Sequence, residues 1–320
     1  MSLQTRLGKV IVNTTRREFV QWLGMLAAWS SFGQEKQQRL PIAFSTLGCP
    51  AWNFAKILDF ADTHGFAAVE LRGLEGNLDL PTYPAFSPGR VAQTRRDISS
   101  HGLQIASVST SSSMGEADSQ KRKQALDDAR RSIDLAAALG APYIRVFGNS
   151  SDAENPVVPN EDLKARVANG LHELGEYAGT AKVMVLLESH DDFTSSAVLQ
   201  DVFRRAESPH VGLLWDAYHT YDSSHEQPEE TVKKLGPQIH HTHLKDAIGN
   251  GKDRHYVLTG QGDVPIVRQV RALHSIGYKG FYCFEWEKVW HPDLQDPEIA
   301  FRDYARVMSG YLRQAGTKTS

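Results

Sequence analysis

Beyond Leu40 the chain repeats one pattern. Short apolar, β-branched runs recur at PIAFSTL, FAAVELRG, LQIASVST, APYIRVFG, VMVLLESH, VGLLWDAY, IHHTHLKD and GFYCFEWE, eight in all. Segments with helical spacing separate them, such as NFAKILDFADTHG and QKRKQALDDARRSIDLAAALG. In the second, apolar residues recur at intervals of three and four, and Gly140 stands where a helix C-cap belongs. Strand alternating with helix eight times predicts an α/β protein, a single (β/α)8 TIM barrel over residues 35–320. A doubly wound open sheet is the alternative. It fits less well, because eight evenly repeated units close naturally, and STLGCPAW after the first strand lacks a glycine-rich dinucleotide turn.

Composition narrows the function classes. The chain has 320 residues, 41% hydrophobic and 23% charged, with a net charge of −3 and no basic run in its body longer than the triplet Lys121, Arg122 and Lys123. A nucleic-acid partner would leave a basic footprint, so none is expected. Two cysteines, Cys49 and Cys283, are too few for a disulfide scaffold and read as small buried hydrophobes.

The N-terminus reads differently from the rest. TTRREFVQWLGMLAAWSSFGQ pairs Arg16 with Arg17 ahead of an apolar run too short and too broken, at Gly24 and Ser30, to span a membrane. TRREFVQ resembles the twin-arginine export signal, with Val20 and Gln21 in place of the consensus Leu and Lys. Residues 1–34 are therefore expected to be such a signal. That implies the twin-arginine translocation machinery as a partner and an exported, periplasmic location. Without residues 1–34 the net charge is about −6, further still from a nucleic-acid binder.

A barrel of this kind carries its chemistry at the C-terminal ends of its strands. The fifth predicted strand ends in Glu188, the sixth in Asp216 with His219 three residues on, the seventh in His243 and the eighth in Glu285. Three carboxylates converging with one imidazole would repel one another unless a cation sits among them. The donor set suits one divalent metal, Mn²⁺, Co²⁺, Mg²⁺ or Zn²⁺, without selecting among them.

The ordered set Glu188, Asp216-x-x-His219, His243, Glu285 resembles the sugar phosphate isomerase/epimerase superfamily, the xylose isomerase-like barrels. STLGCPAW, VELRG and TGQGDVP resemble further segments of it. The resemblance covers nearly all of the chain after Leu40. It implies that Glu188, Asp216, His243 and Glu285 bind one divalent ion and that His219 touches substrate or a second metal. It also implies a hydroxy-ketone substrate whose C–H proton is removed by one of Glu188 and Glu285 and returned by the other. Return to the opposite face is epimerisation, return to the neighbouring carbon is isomerisation, and loss of a β-hydroxyl is a dehydratase or lyase reaction. Endonuclease IV, a three-zinc phosphodiesterase, shares the barrel. KDRHYVLTGQG resembles its Asp-Arg-His segment, which makes Asp253 and His255 candidate extra ligands. The ends of strands three and four, SVSTSSS and RVFGNS, lack the histidines that enzyme uses. A non-catalytic carbohydrate-binding barrel is the third reading. Export argues for an unphosphorylated carbohydrate, because sugar phosphates are scarce outside the cytoplasm. The sequence leaves homo-oligomerisation open.

Other residues are candidates for substrate contact: His190, Arg254, Trp52, Lys245 and Arg145, beside His219. His190 shares a strand face with Glu188. Arg145 lies within strand four, where a charge needs a partner, so a ligand carboxylate is as good an expectation as substrate. Trp52, Trp286 and Trp290 are candidates to stack on a sugar face or to pack the rim. Glu70 and Arg72 read as residues paired with neighbours. Glu287 shares a face with Glu285 and is expected one step further out, paired with Lys288 or another basic residue in solvent.

Overall fold

β-Branched and aromatic residues recur in the barrel strands, because such side chains suit a pleated, packed surface. In the computed structural model, which describes residues 39–149, 157–249 and 251–316, these strands are β1 (Ile42–Ser45), β2 (Ala68–Leu71), β3 (Gln104–Ser113), β4 (Tyr143–Phe147), β5 (Met184–Glu188), β6 (Val211–Asp216), β7 (Ile239–Leu244) and β10 (Tyr282–Phe284). They close in the order β1-β10-β7-β6-β5-β4-β3-β2, and β2 pairs back with β1. Every pairing around the ring is parallel, as eight strand–helix units require. The expected (β/α)8 barrel is the observed fold. A small antiparallel hairpin, β8 (Asp246–Ile248) with β9 (His255–Val257), is added after β7 and is not expected from the sequence pattern. The expected export signal, residues 1–34, lies outside the described residues. Among the described residues no helix is long and apolar enough to cross a membrane.

Helices α1 (Phe54–Thr63), α2 (Val91–Ser100), α3 (Ser119–Leu139), α4 (Glu161–Ala181), α5 (Ser196–Ala206), α6 (Ala217–Asp222), α7 (Pro228–Leu235), α8 (Ile266–Ser275) and α9 (Pro297–Gly316) are interleaved with the strands. Local chemistry sets their ends. Asp118 caps α3 by accepting from the N–H groups of Gln120 and Lys121, and Gly140 ends it at φ +79°, where a side chain would be strained.

The outward faces of the strands bury against this shell. Phe44 of β1 stacks on Phe301 of α9 with ring centroids 4.2 Å apart, and Phe284 of β10 stacks on Tyr304 at 4.5 Å. Truncating one such buried ring to Ala costs about 3–5 kcal/mol. Inside the barrel, Ala43, Ala68, Ala106 and Cys283 form a small apolar floor. Cys49 and Cys283 are both buried and unpaired by disulfides, as expected from the sequence. The polar layers stand above that floor, toward the C-terminal ends of the strands.

Candidate metal centre

Glu188 is the last residue of β5, Asp216 the last of β6 and His243 the penultimate residue of β7, while Glu285 follows β10 directly. Strand register brings them together: Asp216 lies beside His243, and His243 beside Cys283, two residues before Glu285. Side chains two apart on a strand share a face, so all four point into the same space. One ligand atom from each lies within 4.8 Å of all the others, and all four residues are buried.

The Asp-x-x-His spacing has a local cause. Asp216 is the N-cap of α6, and its Oδ1 accepts from the N–H groups of Tyr218 (3.0 Å) and His219 (3.3 Å). Capping uses one oxygen and leaves Oδ2 for the centre. Ser189 Oγ accepts from the Asp216 N–H at 2.8 Å and locks the turn. The first helical turn then brings the His219 ring inward, with Nε2 3.7 Å from Asp216 Oδ2.

Charge balance in this dry space is set by three basic groups. His243 Nδ1 lies 2.8 Å from Glu188 Oε1 and 3.2 Å from Glu285 Oε1. Arg145 Nε lies 3.1 Å from Glu188 Oε2. The Lys245 ammonium touches Asp216 Oδ2 at 2.7 Å, Glu287 Oε1 at 2.8 Å and Glu285 Oε2. Burial alone would raise the Glu188 pKa, but Arg145 and His243 outweigh it and hold the group well below the usual carboxylate range. Glu285 goes the other way. Burial raises it, and the nearby Glu188 and Asp216 add to that against the pull of His243 and Lys245. Burial disfavours the charged form of His219, and the cationic character of His190, Lys245 and Arg254 adds to this, so its pKa falls well below the ordinary value and the ring is neutral.

These residues fit a divalent cation. Three carboxylates and one imidazole form a hard-to-intermediate donor set. Glu188 Oε2 and Asp216 Oδ2 are buried and take no hydrogen bond; Arg145 faces the first, and Lys245 and, at 3.7 Å, His219 face the second. Their lone pairs remain available to a cation.

The family profile described as xylose isomerase-like TIM barrel matches residues 58–308 of the chain. The protein belongs to that family. Among curated relatives, fructoselysine 3-epimerase of Shigella flexneri is 28% identical over 173 residues, covering 52% of this chain and 60% of the relative. The chain thus spans about three fifths of that protein's length. Inosose isomerase of Bacillus licheniformis is 22% identical over 241 residues, 73% of this chain and 84% of the relative. Among solved structures, the IOLI protein with a bound zinc atom superposes with a TM-score of 0.73 at 17% identity, covering 87% of this chain and 100% of that one.

Within this xylose isomerase-like barrel, the ligand quartet expected from the sequence is brought together, but several expected neighbours have other work. Arg145 is buried, ion-pairs with Glu188, and donates from Nη1 to the Thr110 carbonyl at 2.8 Å, so protein groups engage its guanidinium. Lys245 is likewise enclosed, its ammonium committed to three carboxylates. Trp52 is not a stacking platform. It is buried against Phe60 of α1 (4.9 Å) and edge-on to Phe301 of α9 (5.8 Å), with the Lys56 ammonium 4.3 Å from the ring centroid. Trp286 is buried as well, whereas Trp290 is exposed. Glu287 is not a solvent ion pair with Lys288. It is largely buried against Lys245, while Lys288 donates to the Pro292 and Leu294 carbonyls.

His219 and His190 stand side by side next to the quartet. The His219 Nε2 is buried without a hydrogen bond, and its ring meets that of His190 edge-on at 4.4 Å. The His190 side chain is partly exposed and its Nδ1 lies 2.9 Å from Asp191 Oδ1. Arg254, half-buried over the Tyr256 ring, sits in the β8–β9 hairpin. Asp253 and His255 are exposed and join neither buried group of potential ligands. Asp246 anchors the loop after the hairpin, accepting from the N–H groups of Gly260 (2.7 Å), Gly262 (3.1 Å) and Val264 (3.3 Å). Gly262 is required there, because a Cβ would stand 2.3 Å from Asp246 Oδ1.

Sequence reasoning missed Glu70. It is fully buried on β2, and its Oε2 contacts Nε2 of both His241 (3.0 Å) and His243 (2.9 Å). The available signal was an acid inside the apolar run AVEL, together with His241 and His243 sharing one strand face in IHHTHL.

Proposed function

We propose that the protein is a divalent-metal-dependent isomerase or epimerase that moves a proton on carbon next to the carbonyl of a sugar, keto-sugar or inositol-type substrate. The observation that carries this is the convergence of Glu188 and Glu285, from two different strand ends, on one ligand nitrogen, 2.8 Å and 3.2 Å from His243 Nδ1. When bound by Glu188, Asp216, His243 and Glu285, the cation supplies Lewis-acid polarisation of a carbonyl and offsets the negative charge that develops on it. The protein supplies the proton transfers. Glu188 and Glu285 come from strands on different arcs of the barrel, so one can take a proton from one side of a substrate carbon and the other can return it. Each positioned acid or base contributes about 10²–10⁴ in rate. Arg145 and Lys245 hold these carboxylates in place, and the neutral His219 offers its unused Nε2 to a substrate hydroxyl.

The relatives act, by their names, on fructoselysine and on an inosose, and both names suit this chemistry. The export signal read at residues 1–34 favours an unphosphorylated substrate.

The test is solvent exchange. A panel of unphosphorylated keto-sugars and inososes, incubated in deuterated water with protein and Mn²⁺, Co²⁺, Mg²⁺ or Zn²⁺, should show deuterium entering at the carbon next to the carbonyl. Product analysis then separates epimer, isomer and dehydrated product. Binding of these compounds without exchange under any metal would mark a non-catalytic carbohydrate-binding barrel and defeat the reading.

A further inference from the structure

Glu70 belongs to a strand that does not touch β7. Around the ring, β1 and β10 separate the two. Glu70 therefore reaches β7 across the barrel lumen. Its register neighbours are Ser45 on β1 and Ser107 on β3, whose short side chains leave it room. At the far side its Oε2 meets His241 Nε2 at 3.0 Å and His243 Nε2 at 2.9 Å. A buried carboxylate needs partners, and these two imidazoles hold Oε2, while Oε1 is buried without a hydrogen bond.

The contact has a consequence for His243. A carboxylate can only accept, so the Nε2 it holds must carry the hydrogen. Where Nδ1 is not a ligand it follows the same rule and donates to Glu188 Oε1 at 2.8 Å; as a ligand it gives up that hydrogen and offers its lone pair, while the Nε2–H held by Glu70 stays. Nδ1 faces Glu188 and Glu285, the ligand space. We propose that Glu70 is a positioning residue, which fixes the tautomer and the ring orientation of His243 so that it presents Nδ1 to the cation. His241 shares the load by holding the same oxygen. This inference rests on the metal-dependent reading above.

Metal titration tests it without substrate. Unmutated protein and Glu70→Gln, each first stripped with chelator, are titrated with Mn²⁺ by calorimetry, and melting of the metal-free forms is recorded in parallel. Loss of a group that orients a ligand histidine weakens metal binding about 10–100-fold, and that is the expected shift, with partial recovery in Glu70→Asp. Unchanged affinity in Glu70→Gln with a lower melting temperature would show a purely structural role and overturn the proposal. Two ions in unmutated protein and one in Glu70→Gln would overturn it as well, by assigning Glu70, His241, His243 and Cys283 to a second metal. If unmutated protein binds no divalent ion, the metal-dependent function fails together with the inference; if it binds and Glu70→Gln binds equally, only the inference fails. A measurement on unmutated protein guards against a variant that does not fold. Side-chain ¹⁵N NMR of the zinc-loaded form should show a ligand histidine with zinc on Nδ1 and the proton on Nε2, and zinc on Nε2 instead would overturn the assignment.

Discussion

Glu285→Gln is expected to abolish measurable turnover. On the proposed function the substitution removes a ligand oxygen from the quartet and one of the two groups that carry the substrate proton, so the loss should reach at least about 10³-fold in kcat. Glu287→Gln, two residues on, tests the same stretch more gently. An amide keeps an oxygen for the Lys245 ammonium, now 2.8 Å from Glu287 Oε1, but gives up the charge. A charged hydrogen bond exceeds a neutral one by roughly 1–2 kcal/mol, so kcat/KM should fall about tenfold while metal stays bound. Steady-state kinetics and metal analysis on both variants check the ordering. Metal lost from Glu287→Gln and kept in Glu285→Gln would mean that the ligand lies two residues further along the chain.

Lys245→Met should separate the metal-free from the metal-loaded protein. Without the ammonium, Asp216, Glu285 and Glu287 face one another in a buried space with their common partner gone. Breaking a buried ion pair from one side costs about 3–5 kcal/mol. Urea unfolding in the presence of chelator should show that loss. Addition of Mn²⁺ should recover much of it, because a cation at the quartet neutralises Asp216 and Glu285 in the lysine's stead. A variant that is destabilised equally with and without metal would place the importance of Lys245 in packing alone.

The barrel and the convergence of Glu188, Asp216, His243 and Glu285 are legible in the amino-acid sequence. Periodicity and punctuation reveal the barrel, because strand and helix have different periods and Gly140 marks a helix end. The quartet follows from asking which residues close the later strands, since strand ends are where such a barrel gathers its chemistry. The β8–β9 hairpin is invisible at that level because strands of three residues carry no period to count. Glu287 and Trp52 are misplaced by sequence reasoning for a shared reason. Each position depends on what the neighbouring element offers, a buried ammonium from just beyond β7 in one case and the Phe60 and Phe301 rings in the other. Glu70 is the hardest. Its partners lie 171 and 173 residues away across the lumen, a pairing that no local pattern encodes.

Equilibrium titration of chelator-stripped protein with Mn²⁺, followed by metal analysis, tests the central claim most directly. Unmutated protein should take up about one ion per chain. Asp216→Asn replaces a ligand itself rather than a group behind one, so its affinity should fall by more than the roughly 100-fold ceiling typical of outer partners. Specific binding of one ion that survives undiminished in Asp216→Asn, or no specific binding at all, would contradict the assignment of Glu188, Asp216, His243 and Glu285 as a metal centre.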